Sequence, residues 1–200
     1  MPKPTFFNLS PEKRSAIQQA AIEEFARNPY EQASLSKIVD ACGIAKGSMY
    51  QYFEDKLDLY LYIVDLAYSR KREFVDGVFE LEKDFFSTLE AYYRQSDLFA
   101  KEYPLLHQVT NNFWDSRAEV LHTELAKGRS TRARDFQRFL TEAVHGGIVN
   151  PKLNPEAVFF VYHAVGKDLI DQFGYEENGK FFKEILDVLK YGLMIREEME

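Results

Sequence analysis

Apolar residues recur at three- and four-residue spacing along nearly the whole chain. The breaks between these runs carry helix caps. Ser10-Pro11-Glu12 supplies an N-cap hydroxyl, a proline at the first helical position and an acid facing the positive helix end. Ile17, Ala21 and Phe25 then form an inward stripe, which Asn28-Pro29 stops. Val, Ile and Thr form no alternating runs with a hairpin signal between them. A chain written this way folds all-α.

The same reading predicts helices over 35–42, 46–53, 56–79, 84–102, 104–114, 117–146 (with a break available near Gly128), 155–173 and 178–198. Ser34 can cap the first of these, and Gly43 can take the left-handed conformation that ends it. Asp55 caps the 56–79 helix, with Asp58 as its third-residue partner. Pro104 and Pro155 suit first helical positions, the latter behind Asn154. Three short helices therefore precede a long fourth one, which leads into a larger helical body.

Composition narrows the function. The net charge of −7 excludes a globally basic nucleic-acid binder. Residues 1–56 hold seven basic and seven acidic residues, so the whole imbalance falls on 57–200. The single cysteine, Cys42, excludes an intramolecular disulfide and a cysteine metal cluster. No apolar run approaches the ~18 residues of a membrane span, and "MPKPTFFNLS" lacks a signal-type core, so a cytoplasmic protein without membrane contact is expected.

The stretch "GIAKGSMYQYFEDK", residues 43–56, carries the chemistry. Two short helices around a glycine turn describe a helix-turn-helix. On the second, Met49 and Phe53 are four apart and share the anchoring face. Lys46, Gly47, Ser48, Gln51 and Tyr52 can point outward, with Tyr50 at the border. Gly47 costs about 1 kcal/mol of helix propensity but lets the helix start approach a groove wall. Lysine and hydroxyls suit phosphate, and glutamine suits a base edge.

"SLSKIVDACGIAKGSMYQYFEDKLDLY" resembles the DNA-binding signature of the TetR family of helix-turn-helix transcriptional regulators. Ile38-Val39, Cys42-Gly43-Ile44, Gly47-Ser48-Met49-Tyr50, Tyr52-Phe53 and Lys56 fill the pattern without a gap. Ala45 departs from it, standing where many members place a capping Ser or Thr, and Leu35 stands in a Thr/Val place. The resemblance implies a DNA-binding domain over 1–56 and a ligand-binding and dimerisation domain over 57–200. It implies DNA contacts at Ser34, Lys46, Gly47, Ser48, Tyr50, Gln51, Tyr52 and Lys56. It further implies a repressor released from a palindromic operator by a small apolar or aromatic effector, acting as a homodimer, with no enzymatic activity and no cofactor.

In the body, Phe85, Leu89, Tyr92, Ser96, Phe99 and Tyr103 form one three/four-spaced stripe. With the family's effector cavity in view, Tyr92, Ser96, Phe99, Tyr103, His107, Trp114, Phe139, Tyr162 and His163 are the candidate pocket residues, and Phe136 lies among them. By the same analogy Phe159, Ile170, Phe181, Ile185, Val188 and Leu189 are the candidate dimer interface. An alternative reading comes from Glu119/His122 and Glu142/His145. Both are Glu-x-x-His pairs, as used by di-iron helical bundles, and would make the chain a metal enzyme. A basic run, Lys127, Arg129, Arg132, Arg134 and Arg138, could hold an anion or simply face solvent.

Overall fold

The computed structural model describes residues 2–78, 84–116, 121, 123 and 135–193. Among them every regular element is helical, so the fold is all-α, with an N-terminal helix-turn-helix, a long helix and a helical C-terminal part. The ten helices among the described residues are α1 (Pro4–Phe7), α2 (Pro11–Arg27), α3 (Leu35–Ala41), α4 (Lys46–Tyr52), α5 (Lys56–Val75), α6 (Phe85–Glu102), α7 (Pro104–Asp115), α8 (Asp135–His145), α9 (Pro155–Gln172) and α10 (Tyr175–Leu193).

The caps fall where the sequence puts them. Ser10 accepts from the Lys13 N–H at 3.4 Å, with Pro11 at the first helical position. Asp55 accepts from the Asp58 N–H at 2.8 Å, and Asp58 reaches back to the Glu54 N–H at 3.2 Å. Asn154 caps α9 by accepting from Glu156 at 2.8 Å. Each such cap contributes about 1 kcal/mol. Two boundaries differ from expectation, the end of α5 at Val75 in place of residue 79 and the start of α10. α10 starts at Tyr175 and is interrupted at Asn178, whose φ of −129° breaks the helical run. Gly174, at φ +65°, sits between α9 and α10.

The chain forms two compact units. The first comprises residues 1–70 and 103–133. Its core contains Phe6, Ile17, Phe25, Ile38, Met49, Phe53, Leu59, Tyr60 and Val109, none more than 1% exposed. α7 packs on α2 within this unit. The Asn112 amide donates to the carbonyls of Phe25 and Ala26 at 2.9 and 3.0 Å, and the Ser116 hydroxyl lies 2.8 Å from the Glu31 carboxylate. Phe25 and Ala26 lie in the last turn of α2, whose carbonyls lack intrahelical partners. Asn112 therefore closes that helix from a distance.

The second unit comprises residues 71–102 and 134–200. Its core gathers Phe85, Leu89, Tyr93, Phe136, Leu140, Tyr162, Phe182 and Leu186. Gly166 permits a close contact there. A Cβ built on it would lie 2.2 Å from Cε1 of Tyr93, so the tyrosine ring lies flush against α9. The Tyr93 hydroxyl donates to the Tyr162 carbonyl at 2.7 Å, and burial pushes its pKa well up. Tyr175 anchors α10 through a 2.5 Å hydrogen bond to Glu90. Burial first, and that bond second, raise its pKa to about 12.

Candidate nucleic-acid interface

α3 and α4 are joined by a turn that only a left-handed residue closes comfortably. Gly43 has φ +67°. The Ile44 N–H bonds the Val39 carbonyl at 3.1 Å and the Gly43 N–H bonds the Asp40 carbonyl at 3.2 Å. This paired pattern satisfies the last carbonyls of α3. At its other end Ser34 accepts from the Lys37 N–H at 3.4 Å, while its own N–H is held by the Glu24 carboxylate at 2.7 Å.

α4 divides by the wheel. Met49 and Phe53 are both 1% exposed and anchor it. Lys46, Gly47 and Gln51 are exposed, Tyr50 is 45% exposed, and Ser48 and Tyr52 are half-buried. A Cβ at Gly47 would meet nothing within 4 Å, so that backbone is open to close approach from outside. Ala45 makes no capping bond, as its methyl side chain dictates. The helix start thus has no side-chain cap, and Lys46, Gly47, Tyr50 and Gln51 are the exposed candidates on α4.

Lys56 departs from its neighbours. Its half-buried ammonium donates to the carbonyls of Tyr30 at 2.7 Å and Ala33 at 3.1 Å, and stands 4.5 Å from the Tyr30 ring centre. Two of its three donors are spent inside the unit.

The candidate pocket residues fall in both units. In the second, Tyr92 stacks on Phe136 at 4.4 Å, Phe139 stacks on Phe85 at 5.0 Å, and Phe85 meets Tyr162 edge-on at 6.4 Å. Tyr92, Phe139 and Tyr162 therefore share one aromatic cluster. Phe85, which heads the stripe that carries Tyr92, and Tyr93, which lies off that stripe, belong to the cluster as well. Phe99 is fully buried and pairs with Phe74 at 5.8 Å, and His163 stacks on Phe159 at 5.3 Å. Ser96 is fully buried, and its hydroxyl and that of Tyr162 have no hydrogen-bond partner among the described residues. Burial also raises the Tyr162 pKa. In the first unit, Tyr103 lies under Arg70 at 5.4 Å, His107 Nε2 lies 3.2 Å from the Asn111 amide, and the Trp114 indole donates to the Tyr68 hydroxyl.

The candidate dimer residues also divide. Phe159, Ile170, Ile185 and Leu189 are partly buried against the second unit's own core. Phe181 and Val188 are 39% and 69% exposed. Phe160 at 72%, Phe173 at 41% and Tyr191 at 66% are exposed apolar residues of the same region outside the candidate set, and Phe173 lies 5.2 Å from Phe181.

Of the metal-enzyme residues, Glu119 and His122 lie outside the described residues. Glu142 and His145 are exposed, and Glu142 faces Arg138 at 3.7 Å. Of the basic run, Lys127, Arg129, Arg132 and Arg134 lie outside the described residues too. Among the described residues no three His, Cys, Asp or Glu side chains gather as a metal site, and no helix is long and apolar enough to cross a membrane.

The stretch that holds this turn and α4 is similar to known proteins. Residues 17–63 match the model of the bacterial regulatory proteins of the tetR family. A TetR family transcriptional regulator from Chloroflexus aurantiacus J-10-FL superposes with a TM-score of 0.70 at 28% identity, covering 98% of this chain and 100% of that one. Residues 17–63 thus carry a TetR-type helix-turn-helix domain, and the whole chain shares its fold with TetR family transcriptional regulators. The fatty acid metabolism regulator protein of Bacillus subtilis (strain 168) is 30% identical over 94 residues, 47% of this chain and 45% of the relative, so the match spans about half of each. The transcriptional regulator FadR from Bacillus subtilis, solved in complex with stearoyl-CoA, shares the fold with a TM-score of 0.61 at 19% identity, covering 90% of this chain and 99% of that one.

Proposed function

We propose that the protein is a cytoplasmic, homodimeric transcriptional regulator, without enzymatic activity, that leaves a palindromic operator when an apolar effector binds. Residues 1–56 supply the DNA-reading elements and 57–200 the effector and dimer elements. The observation that carries this reading is the outward face of α4 set on a buried Met49–Phe53 anchor. Lys46, Ser48, Tyr50 and Tyr52 suit phosphates, Gly47 permits close approach, and Gln51 suits a base edge. Ser34 flanks them at the start of α3.

The effector class follows from the second unit and from the relatives. Its interior is an aromatic cluster, and the buried hydroxyls of Ser96 and Tyr162 have no partner among the described residues, which favours an apolar body carrying few polar groups. The fatty-acid regulators among the similar proteins support a long acyl chain, free or as a thioester, as the first effector to try. The bare surface at Phe160, Phe181, Val188 and Tyr191 supports a two-fold interface between copies.

The test is selection of duplexes from random-sequence DNA by the full chain, followed by titration with palmitoyl-CoA. An enriched palindrome whose affinity falls when acyl-CoA is added is the expected result. A coupling of ~3 kcal/mol would weaken operator binding about 150-fold and weaken acyl-CoA binding equally when operator is present. No enriched sequence would overturn the DNA reading. Operator affinity unmoved by acyl-CoA would overturn only the effector class.

A further inference from the structure

The reading helix is poorly equipped to hold itself together. α4 is seven residues long, contains Gly47 and lacks a side-chain N-cap. Isolated helices this short are unstable in water, so its order must come from outside. The last four carbonyls of any helix lack intrahelical partners. Here those belong to Met49, Tyr50, Gln51 and Tyr52, three of them proposed reading residues. The Met49 carbonyl is taken by the Phe53 N–H at 2.9 Å. The other three are all taken by the N-terminal segment. The Lys3 ammonium donates to Tyr50 at 2.7 Å, the Thr5 hydroxyl donates to Gln51, and the Lys3 N–H donates to Tyr52 at 2.8 Å.

The segment is itself held firmly. Phe6 is fully buried, with its ring 4.9 Å from Phe53 and 5.3 Å from Tyr62. Pro2 and Pro4 flank Lys3 and restrict the backbone there. Lys3 also sets a positive charge at the negative end of α4. The arrangement accounts for three of the last four carbonyls of the helix with donors more than forty residues away in sequence.

We propose that Lys3 and Thr5 are positioning residues for DNA recognition: the N-terminal segment braces the C-terminal end of the reading helix, so that its loss lowers the fraction of molecules able to read sequence. This inference rests on α4 being the DNA-reading helix. The brace acts on geometry, so it favours the specific operator over unrelated DNA. A phosphate contact from Lys3 would instead strengthen both alike.

The test compares wild type with Lys3→Met, Thr5→Val and the double variant, all in the full chain. Lys3→Arg and Thr5→Ser, which keep the donors, serve as rescue controls. The probes are a duplex selected by the wild type and a scrambled duplex of the same length. Operator affinity is expected to fall about fivefold for either single change and about thirtyfold for the pair. Affinity for the scrambled duplex and the salt slope should hold, and the Arg and Ser variants should match wild type. Hydrogen exchange in the free protein should speed up over residues 49–53 and stay unchanged over α9 and α10. Deleting residues 2–7 also removes buried Phe6, so the point variants decide the matter. Unchanged operator affinity and exchange in the double variant would overturn the brace. So would a Lys3→Met slope lower by about one unit with exchange unmoved, which would mark a phosphate contact. If the wild type selects no DNA, the DNA-reading assignment fails. The exchange arm still shows whether the segment holds α4.

Discussion

The Lys56 ammonium donates to the Tyr30 carbonyl at 2.7 Å and stands 4.5 Å from the same residue's ring centre. One side chain at the start of α5 thus pins the connection between α2 and α3. Lys56→Met should lower stability by about 1–3 kcal/mol, since two carbonyls lose a charged donor. Urea denaturation of the full chain reads this directly. A phosphate ligand would behave otherwise, giving unchanged stability and a salt slope of DNA binding lower by about one unit.

Asn112 offers a cleaner case of distant capping. Its amide bonds the Phe25 and Ala26 carbonyls at the end of α2. Asn112→Ala removes the donors and should cost about 1–2 kcal/mol. Asn112→Asp should cost more, because a carboxylate cannot donate and meets the negative helix end. The order of thermal midpoints, Asn above Ala above Asp, is the expected readout. An Asp variant as stable as wild type would contradict the cap.

Gly166 is required by its neighbour. Gly166→Ala would put a methyl 2.2 Å from the Tyr93 ring, and such overpacking costs about 1–3 kcal/mol. Pairing it with Tyr93→Leu should recover part of the loss, giving a coupling of about 0.5–3 kcal/mol in a double-mutant cycle. Additive effects would mean that the ring moves away freely.

Self-association should depend on the bare residues of α9 and α10. Phe160→Glu and Tyr191→Glu are expected to sediment as folded monomers with weakened operator binding, since both side chains are largely exposed. Phe182→Glu, at a fully buried position, should instead abolish folding. A Phe160→Glu, Tyr191→Glu double variant that remains dimeric would move the interface elsewhere.

Local chemistry explains which of these features could be read from the sequence. Ser10-Pro11, Asp55 and Asn154 act on backbone groups two or three residues away, so their caps are visible in the letters. Met49 and Phe53 show the α4 anchor by spacing alone. α1 was missed because four residues carry no periodicity and its reason lies at Tyr50–Tyr52 and Phe53. Lys56 reads in sequence as a DNA contact implied by the resemblance, and its partners at Tyr30 and Ala33, more than twenty residues away, carry no signal in the letters. In α9 and α10 apolar residues occupy two faces. Phe159 and Ile185 turn to the unit's own core while Phe160 and Val188 turn outward, and composition cannot separate them.

The Asn112 cap also bears on how such a regulator could be rebuilt. A reading head cut out after residue 56 and spliced onto another body would leave two α2 carbonyls without their donor and Glu31 without Ser116. The transferable module is discontinuous: it includes α7 and Ser116 as well as the first helices. Hybrid regulators assembled from this chain need that second piece from the same parent, or a host whose equivalent helix presents an amide at the same height.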